Sequence, residues 1–238
     1  MIEGILPPYV VSADLSDDPP GATLFPEEEK VIEQVVDKRR REFTTARLCA
    51  RRAMSELGLP PAPVLPGPRG EPRWPSGVVG SMTHCAGYRG AVLGRSAEVT
   101  TIGIDAEPND SLAEGVLDVI SLPEEREHLR ELWRRDRRVS WERLLFSAKE
   151  SVYKAWFPLT GLWLDFEEAR LEIDPERGTF HARLLVPGPH VDDSEVTGFS
   201  GRWMVTDGLI LTAIVVPAPA TTARTTPSAA PDSKLIDS

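Results

Sequence analysis

What the chain has little of narrows the field first. Among 238 residues there are two cysteines, Cys49 and Cys85, and four histidines. Two thiols build no disulfide framework, and no Cys or His spacing matches a structural zinc site. Long apolar runs are missing too. The longest, Leu209 to Pro217, is far shorter than the roughly 20 residues a bilayer crossing needs. Met1-Ile2-Glu3-Gly4 has no basic stretch followed by an apolar run, so no signal peptide and a cytoplasmic location are expected. Basic charge is in deficit: 27 Lys and Arg stand against 37 Asp and Glu, a net charge of −10. That balance argues against general nucleic-acid or membrane-surface binding.

What is present suits a soluble globular chain, with 41% hydrophobic residues to build a core. The charge is unevenly spread. Lys38 to Arg52 carries seven basic residues against one acid, Glu42, and Arg130 to Arg143 is a second basic stretch. Such stretches leave room for an anionic substrate or an acidic partner.

Pro19-Pro20-Gly21 and Pro26 mark an irregular N-terminal region. Apolar spacing predicts one helix over Glu27–Leu57, stopped by Gly58 and Pro60-Pro61. Val78–Thr83, Gly90–Leu93 and Thr100–Glu107 read as strands. Ser121-Leu122-Pro123-Glu124 is a capping-box signature, which makes Ser121 the N-cap, with proline inside the first turn, so a helix begins there. A helix over Ser140–Phe157 carries the stripe Leu145, Ala148, Val152, Ala155 and Trp156. Strands follow near 169–173, 179–186, 202–206 and 209–216, the last two joined by the hairpin signal Asp207-Gly208. Residues 217–238 are rich in Ala, Thr, Pro and Ser, and a disordered tail is expected. The element order implies an α+β fold with halves 1–100 and 101–216.

Asp105 and Glu107 lie two apart on a strand, so both project from one face while Ile102 and Ile104 point into a core. Adjacent carboxylates repel unless neutralised, and a hard cation such as magnesium neutralises them with oxygen ligands. Alternatively, they form an exposed strand end. Glu150 and Lys154 share a helix face at i and i+4. They form either an ordinary surface ion pair or, given Trp141, Tyr153, Trp156 and Phe157 nearby, part of a cleft. His84 ends a strand beside Cys85, but neighbours on a strand point to opposite faces, which disfavours a cysteine–histidine pair.

Gly80-Ser81-Met82-Thr83-His84-Cys85-Ala86-Gly87-Tyr88, Ile102-Gly103-Ile104-Asp105-Ala106-Glu107 and Phe146-Ser147-Ala148-Lys149-Glu150-Ser151-Val152-Tyr153-Lys154-Ala155-Trp156 resemble, in this order, three motifs of the 4′-phosphopantetheinyl transferases. The basic helix from Arg39 to Arg52 and Gly70-Glu71-Pro72 are similar to that family's upstream coenzyme A motifs. The likeness is to the monomeric, broad-specificity class, and within it to the siderophore-synthesis type.

The resemblance implies two similar α+β halves related by a pseudo-two-fold axis, each with a small, mainly antiparallel sheet, and coenzyme A in the cleft between them. It implies Mg2+ held by Asp105, Glu107 and Glu150 with the Ala106 carbonyl nearby. Glu150 and Lys154 would be catalytic. Coenzyme A would meet Arg39 (or Arg40), Arg47, Gly67, Pro68, Arg69, Thr83, His84, Asp105, Glu150, Lys154 and Leu164. The second substrate would be an apo acyl or peptidyl carrier protein, and the enzyme a monomer. Pro66-Gly67-Pro68-Arg69 departs from the family pattern, with proline where a lysine is common, leaving Arg69 and backbone groups for phosphate. Two other readings use the same residues: a magnesium-dependent phosphohydrolase, and a non-catalytic module that binds carrier proteins or nucleotides.

Overall fold

A computed structural model describes residues 1–192 and 194–219. In chain order the elements are β1 (Val11–Leu15), α1 (Pro26–Val31), α2 (Asp37–Glu56), β2 (Leu65–Pro66), β3 (Pro72–Arg73), β4 (Val78–Cys85), β5 (Tyr88–Arg95) and β6 (Val99–Pro108). Then come α3 (Val116–Ile120), α4 (Pro123–Arg135), α5 (Trp141–Thr160), β7 (Ala169–Asp174), β8 (Thr179–Leu184), β9 (His190–Val191), β10 (Ser194–Glu195), β11 (Gly198–Thr206) and β12 (Leu209–Pro217). Helices and antiparallel strands share the chain, so the fold is α+β as expected.

Two sheets carry the architecture. The smaller has strand order β1-β5-β4 and the larger β6-β12-β11-β8-β7. On the small sheet, α2 buries Cys49, Ala50, Ala53 and Met54 against Val64, Ala91 and Leu93. Over the large sheet, α5 buries Leu145, Ala148, Val152 and Ala155 with Phe180, Phe199, Ile210 and Ile214. Each fully buried side chain of Leu, Ile or Phe size contributes about 1.5–3 kcal/mol, which anchors both helices more firmly than their propensities could. A third core, including Ile5, Tyr88, Ile102, Ile104 and Leu211, lies where β5, β6, β12 and the N-terminal turn Ile2–Ile5 meet.

Four local expectations change. The single helix over 27–57 is two: α1 ends at Val31 and α2 begins at Asp37 with Val36 as its N-cap. The break falls among Val31, Ile32, Val35 and Val36, whose branched side chains weaken a helix. Arg40 ties the two helices together through Glu29 at 2.8 Å and Ile32 O at 2.9 Å. Helix α4 takes Leu122 rather than Ser121 as N-cap, because Pro123 fills its first position and the Glu125 carboxylate accepts from Leu122 N at 2.7 Å. The N-terminal region is not wholly irregular, since β1 pairs with β5 in the register Val11↔Leu93 to Leu15↔Arg89. Pro217, assigned above to the tail, closes β12: its carbonyl accepts from Thr100 Oγ1 at 3.1 Å, and Ala218 N donates to Glu98 O at 2.8 Å. The rest of that tail, 220–238, lies outside the described residues. The Asp207-Gly208 hairpin forms as expected, with φ of 48° and 74°.

The closest approach between sheet and helix sets where the chemistry sits. A Cβ on Gly103 of β6 would lie 2.0 Å from Ser151 O and 2.7 Å from Ala155 N, both backbone atoms of α5. Only glycine lets the strand and helix meet this closely. Gly103→Ala is therefore expected to force α5 outward and lower stability by about 1–3 kcal/mol, as overpacking does. Gly4→Ala is the control, because its added Cβ would touch only the Met204 side chain, at 3.6 Å. Urea unfolding of both variants checks this; an unchanged midpoint for Gly103→Ala would contradict the close contact.

Candidate active site

Strands β4 and β6 come from different sheets, yet side chains stitch them together. Ser81 Oγ accepts from Ile104 N at 3.1 Å, and Thr83 Oγ1 accepts from Ala106 N at 3.2 Å. Thr83 Oγ1 also donates to Asp105 Oδ1 at 3.0 Å. The same oxygen accepts from Lys154 Nζ on α5 at 2.7 Å, and Lys154 Nζ reaches Ile104 O at 3.1 Å. Lys154 thus binds Asp105, not Glu150, so the surface ion pair that the i, i+4 spacing allowed does not form. Lys149, its neighbour in the motif, is turned away and buried on Glu125 at 2.8 Å and Phe166 O at 2.7 Å.

Asp105 and Glu107 do share a face of β6. Glu107 Oε2 accepts from Arg143 Nη1 at 2.9 Å, while Arg143 also binds Asp110 O at 3.1 Å and Ser111 O at 2.7 Å. Burial raises the Glu107 pKa above the ordinary glutamate value, and the Asp105 charge adds to the rise against the pull of Arg143. Burial also raises the pKa of Glu150, with Lys154 opposing and Asp105 reinforcing the shift. Burial pushes the Cys85 thiol up to about 12, so Cys85 is no thiolate nucleophile at neutral pH.

His84 lies at the other edge of this group. Arg39 Nη1 and His84 Nε2 are in hydrogen-bond contact. A guanidinium has no acceptor, so Nε2 accepts and the ring proton sits on Nδ1. Burial, then the Arg39 charge, lower the His84 pKa, which keeps the ring neutral at pH 7. Arg40 points to Glu29 instead, so Arg39 is the one of the two beside His84. Arg47 is the most enclosed of the arginines expected to meet the coenzyme. It is buried, its guanidinium carbon lies 3.4 Å from the Phe43 ring centroid, and its Nε donates to Val64 O at 3.2 Å. Burial lowers its pKa to about 10.

The Gly67-Pro68-Arg69-Gly70 turn joins β2 to β3. It is held by Gly67 N to Glu71 O at 2.7 Å and Arg69 N to Glu71 Oε2 at 2.9 Å, with Gly70 at φ 87°. Leu164 packs into the core under α5 and, with Glu150, Tyr153 and Trp163, lines a cavity of about 100 Å3.

A magnesium ion would need oxygen ligands from this group of acids. Among the described residues no group of three or more His, Cys, Asp or Glu side chains converges to hold a metal. Lys154 and Arg143 occupy one oxygen each of Asp105 and Glu107. Ala106 turns its methyl into apolar core. A smaller demand is met. Asp105 Oδ2 is buried without a hydrogen-bond partner among the described residues. An unsatisfied buried oxygen of this kind costs about 1–3 kcal/mol, more if charged, so it calls for a ligand. Magnesium takes only one or two carboxylates and fills its shell with water and phosphate oxygens, and Asp105 with Glu107 fits that requirement.

Comparison with known proteins gives the family. Residues 27–94 match the 4′-phosphopantetheinyl transferase N-terminal domain, and residues 101–197 match the 4′-phosphopantetheinyl transferase superfamily. The chain is 57% identical over 228 residues to the 4′-phosphopantetheinyl transferase Svp of Streptomyces mobaraensis, covering 94% of this chain and 92% of that one. It is 50% identical over 224 residues to the 4′-phosphopantetheinyl transferase PptT of Mycobacterium tuberculosis, covering 91% and 98%. The chain belongs to the 4′-phosphopantetheinyl transferase family. Similarity to enterobactin synthase component D of Salmonella typhimurium is lower and partial, 36% over 126 residues and about half of each chain (50% and 49%).

A transferase of this family takes phosphopantetheine from coenzyme A, and in this chain Thr83 of β4 and Lys154 of α5 both bond to Asp105 of β6. Sequence reasoning missed Ser81 as a stitch and Arg143 as the partner of Glu107. Ser81 and Thr83 did carry a signal, two hydroxyls at strand period. Arg143 carried none, since it meets Glu107 across 36 residues. Because the Asp105 charge raises the pKa of both Glu107 and Glu150, Asp105→Asn is expected to lower both. Carboxyl 13C titration of the transferase would follow this. Unmoved Glu150 titration would show that burial alone sets its acidity.

Proposed function

We propose that this transferase attacks the pyrophosphate of coenzyme A with the serine hydroxyl of an apo acyl or peptidyl carrier protein. The serine oxygen bonds to the phosphorus that bears pantetheine, and adenosine 3′,5′-bisphosphate leaves with the electron pair of the broken P–O bond. Glu150 accepts the serine proton. Its weakened acidity suits a base near neutral pH, where matching to the operating pH favours proton transfer. Lys154, 2.7 Å from Asp105, stands ready to offset charge that grows on the phosphoryl oxygens. Asp105 and Glu107 would hold Mg2+, which when bound neutralises the pyrophosphate. Most of the rate in such chemistry comes from positioning and electrostatics.

Arg39, His84 and Arg69 would bind the 3′-phosphate and adenosine end, with Gly67 and Pro68 presenting backbone beside it. Arg47 supports them: it lies against Phe43 and fixes Val64 at the base of the β2–β3 turn. The halves 1–100 and 101–216 are read as two similar α+β units meeting at β4 and β6, and the enzyme as a monomer that needs neither nucleic acid nor membrane. Among the described residues no helix is long and apolar enough to cross a membrane.

The observation that carries this reading is Asp105: Thr83 and Lys154 hold its Oδ1, while its buried Oδ2 has no hydrogen-bond partner among the described residues. Mass spectrometry of an apo carrier protein incubated with coenzyme A and Mg2+ tests it. The expected result is added phosphopantetheine, abolished by excess EDTA. Release of phosphopantetheine from coenzyme A without a carrier would instead mark a phosphohydrolase.

Kinetics separate the roles. Glu150→Gln is expected to lower kcat with little change in KM, because it acts on the reacting proton. His84→Ala is expected to raise the KM for coenzyme A roughly tenfold, as loss of one charge-assisted contact does, and dephospho-coenzyme A should narrow the gap to the parent. A His84→Ala enzyme that loses kcat alone would place the 3′-phosphate elsewhere.

A further inference from the structure

Helix α4 sorts its charges by face. Arg126, Arg130 and Arg134 repeat at i, i+4 and i+8, which stacks three like charges along one side. Such a row destabilises an isolated helix, so helix stability does not account for it. Arg126 has a carboxylate within reach, Asp118 at 3.9 Å, and Arg138 pairs with Asp136 at 2.8 Å. Arg130, Arg134 and Arg137 make no ion pair among the described residues. Trp133 on the same side is 51% exposed, with the Arg137 guanidinium carbon 4.3 Å from its ring centroid. A large aromatic left in water beside unpaired arginines is the composition of an interface centre rather than of ordinary surface.

These residues line a groove of about 800 Å3. Its acids are Asp110, Asp118 and Glu142. One of them is already engaged with Arg126, and Glu142 Oε1 accepts from Leu112 N at 3.2 Å. The far wall is the turn Asn109–Ser111, which begins two residues after Glu107. That turn is pinned to the α4–α5 connection by Asn109 Nδ2 to Arg138 O at 2.7 Å and Ser140 N to Asn109 Oδ1 at 2.8 Å. Arg143, which holds Glu107, holds Asp110 and Ser111 as well. Arg143 therefore ties the groove's far wall to Glu107. A wider groove, about 1350 Å3, lies over β7, β8, β11 and β12 and contains none of Asp105, Glu107, Glu150 or Lys154.

We propose that the arginine groove between α4 and the Asn109–Ser111 turn docks the carrier protein. An acidic helix face of the carrier would lie along Arg126, Arg130 and Arg134, with an apolar side chain against Trp133. This rests on the transferase reading above, which requires a macromolecule to bring a serine to the Asp105–Glu107 centre. It explains how a chain of net charge −10 receives an acidic protein: local positive charge steers and orients it against the global field.

The test uses the full-length enzyme, an apo carrier protein and coenzyme A. Arg130→Glu/Arg134→Glu is expected to raise the KM for the carrier at least tenfold. The KM for coenzyme A, and kcat at saturating carrier, should stay within about twofold. In the parent, added salt should raise the carrier KM; in the variant that dependence should flatten or reverse. Carrier variants with Lys in place of helix carboxylates should regain turnover with the charge-reversed enzyme and lose it with the parent. Circular dichroism and melting temperature verify that the variant folds, and Arg130→Lys/Arg134→Lys should keep most of the affinity. A carrier KM that stays at the parental value would overturn the proposal, as would a rise confined to coenzyme A, which would make the arginines a phosphate site. In either case phosphopantetheine transfer by the parent leaves the functional reading intact. A parent that transfers nothing to any carrier fails that reading and this one together.

Discussion

Strands β4 and β6 run side by side without a backbone ladder between them, and two hydroxyls do the work of one. Ser81 and Thr83 accept the N–H groups of Ile104 and Ala106, which would otherwise be orphaned at a buried strand edge. Thr83 in turn donates its hydroxyl hydrogen bond to Asp105, and Lys154 comes down from α5 to the same carboxylate oxygen. One aspartate therefore joins three elements: the small sheet through β4, the large sheet through β6, and the helix that covers the large sheet. Hydrogen bonds to charged groups contribute about 1.5–3 kcal/mol each. The seam is thus a structural joint first. It leaves the second Asp105 oxygen buried without a hydrogen-bond partner among the described residues.

The neighbouring electrostatics follow from that joint. Asp105 sits close enough to Glu107 and Glu150 to weaken the acidity of both, and burial does the larger share. Arg143 and Lys154 take up part of the charge, so the site rests as an ion-paired network. Substrate phosphates and a divalent ion would have to share or displace those pairs. Gly103 makes the network possible at all, because a side chain there would hold α5, with Glu150 and Lys154, away from β6. At the coenzyme end, His84 stays neutral beside Arg39, and Arg47 is spent on packing against Phe43 rather than left open.

Much of this was legible in the residues. The alternation of Ile102 and Ile104 with Asp105 and Glu107 correctly put the carboxylates on one strand face, and the order of three motifs named the family. Asp207-Gly208 specified its hairpin because few residues tolerate positive φ there. What was not legible was long-range choice. Helical spacing offered Glu150 to Lys154, but the strand lying against α5 offered Asp105, nearer and more buried, and the lysine took it. β1 was hidden because Val11, Ala13 and Leu15 alternate only briefly among prolines and acids. The strand exists because β5, nearly eighty residues on, supplies its ladder. The burial of Arg47 was equally hidden, since only tertiary structure puts the Val64 carbonyl beneath it.

In the function proposed above, Asp105 Oδ2, which has no hydrogen-bond partner among the described residues, would receive a divalent cation together with coenzyme A. Electron paramagnetic resonance of Mn2+, used as the magnesium surrogate, measures this directly in the protein–coenzyme A complex. The account predicts one bound ion per chain in the parent and at least a tenfold weaker site in Asp105→Asn, with Cys85→Ser unchanged as a neighbouring control. Equal Mn2+ affinity in the parent and Asp105→Asn would contradict it.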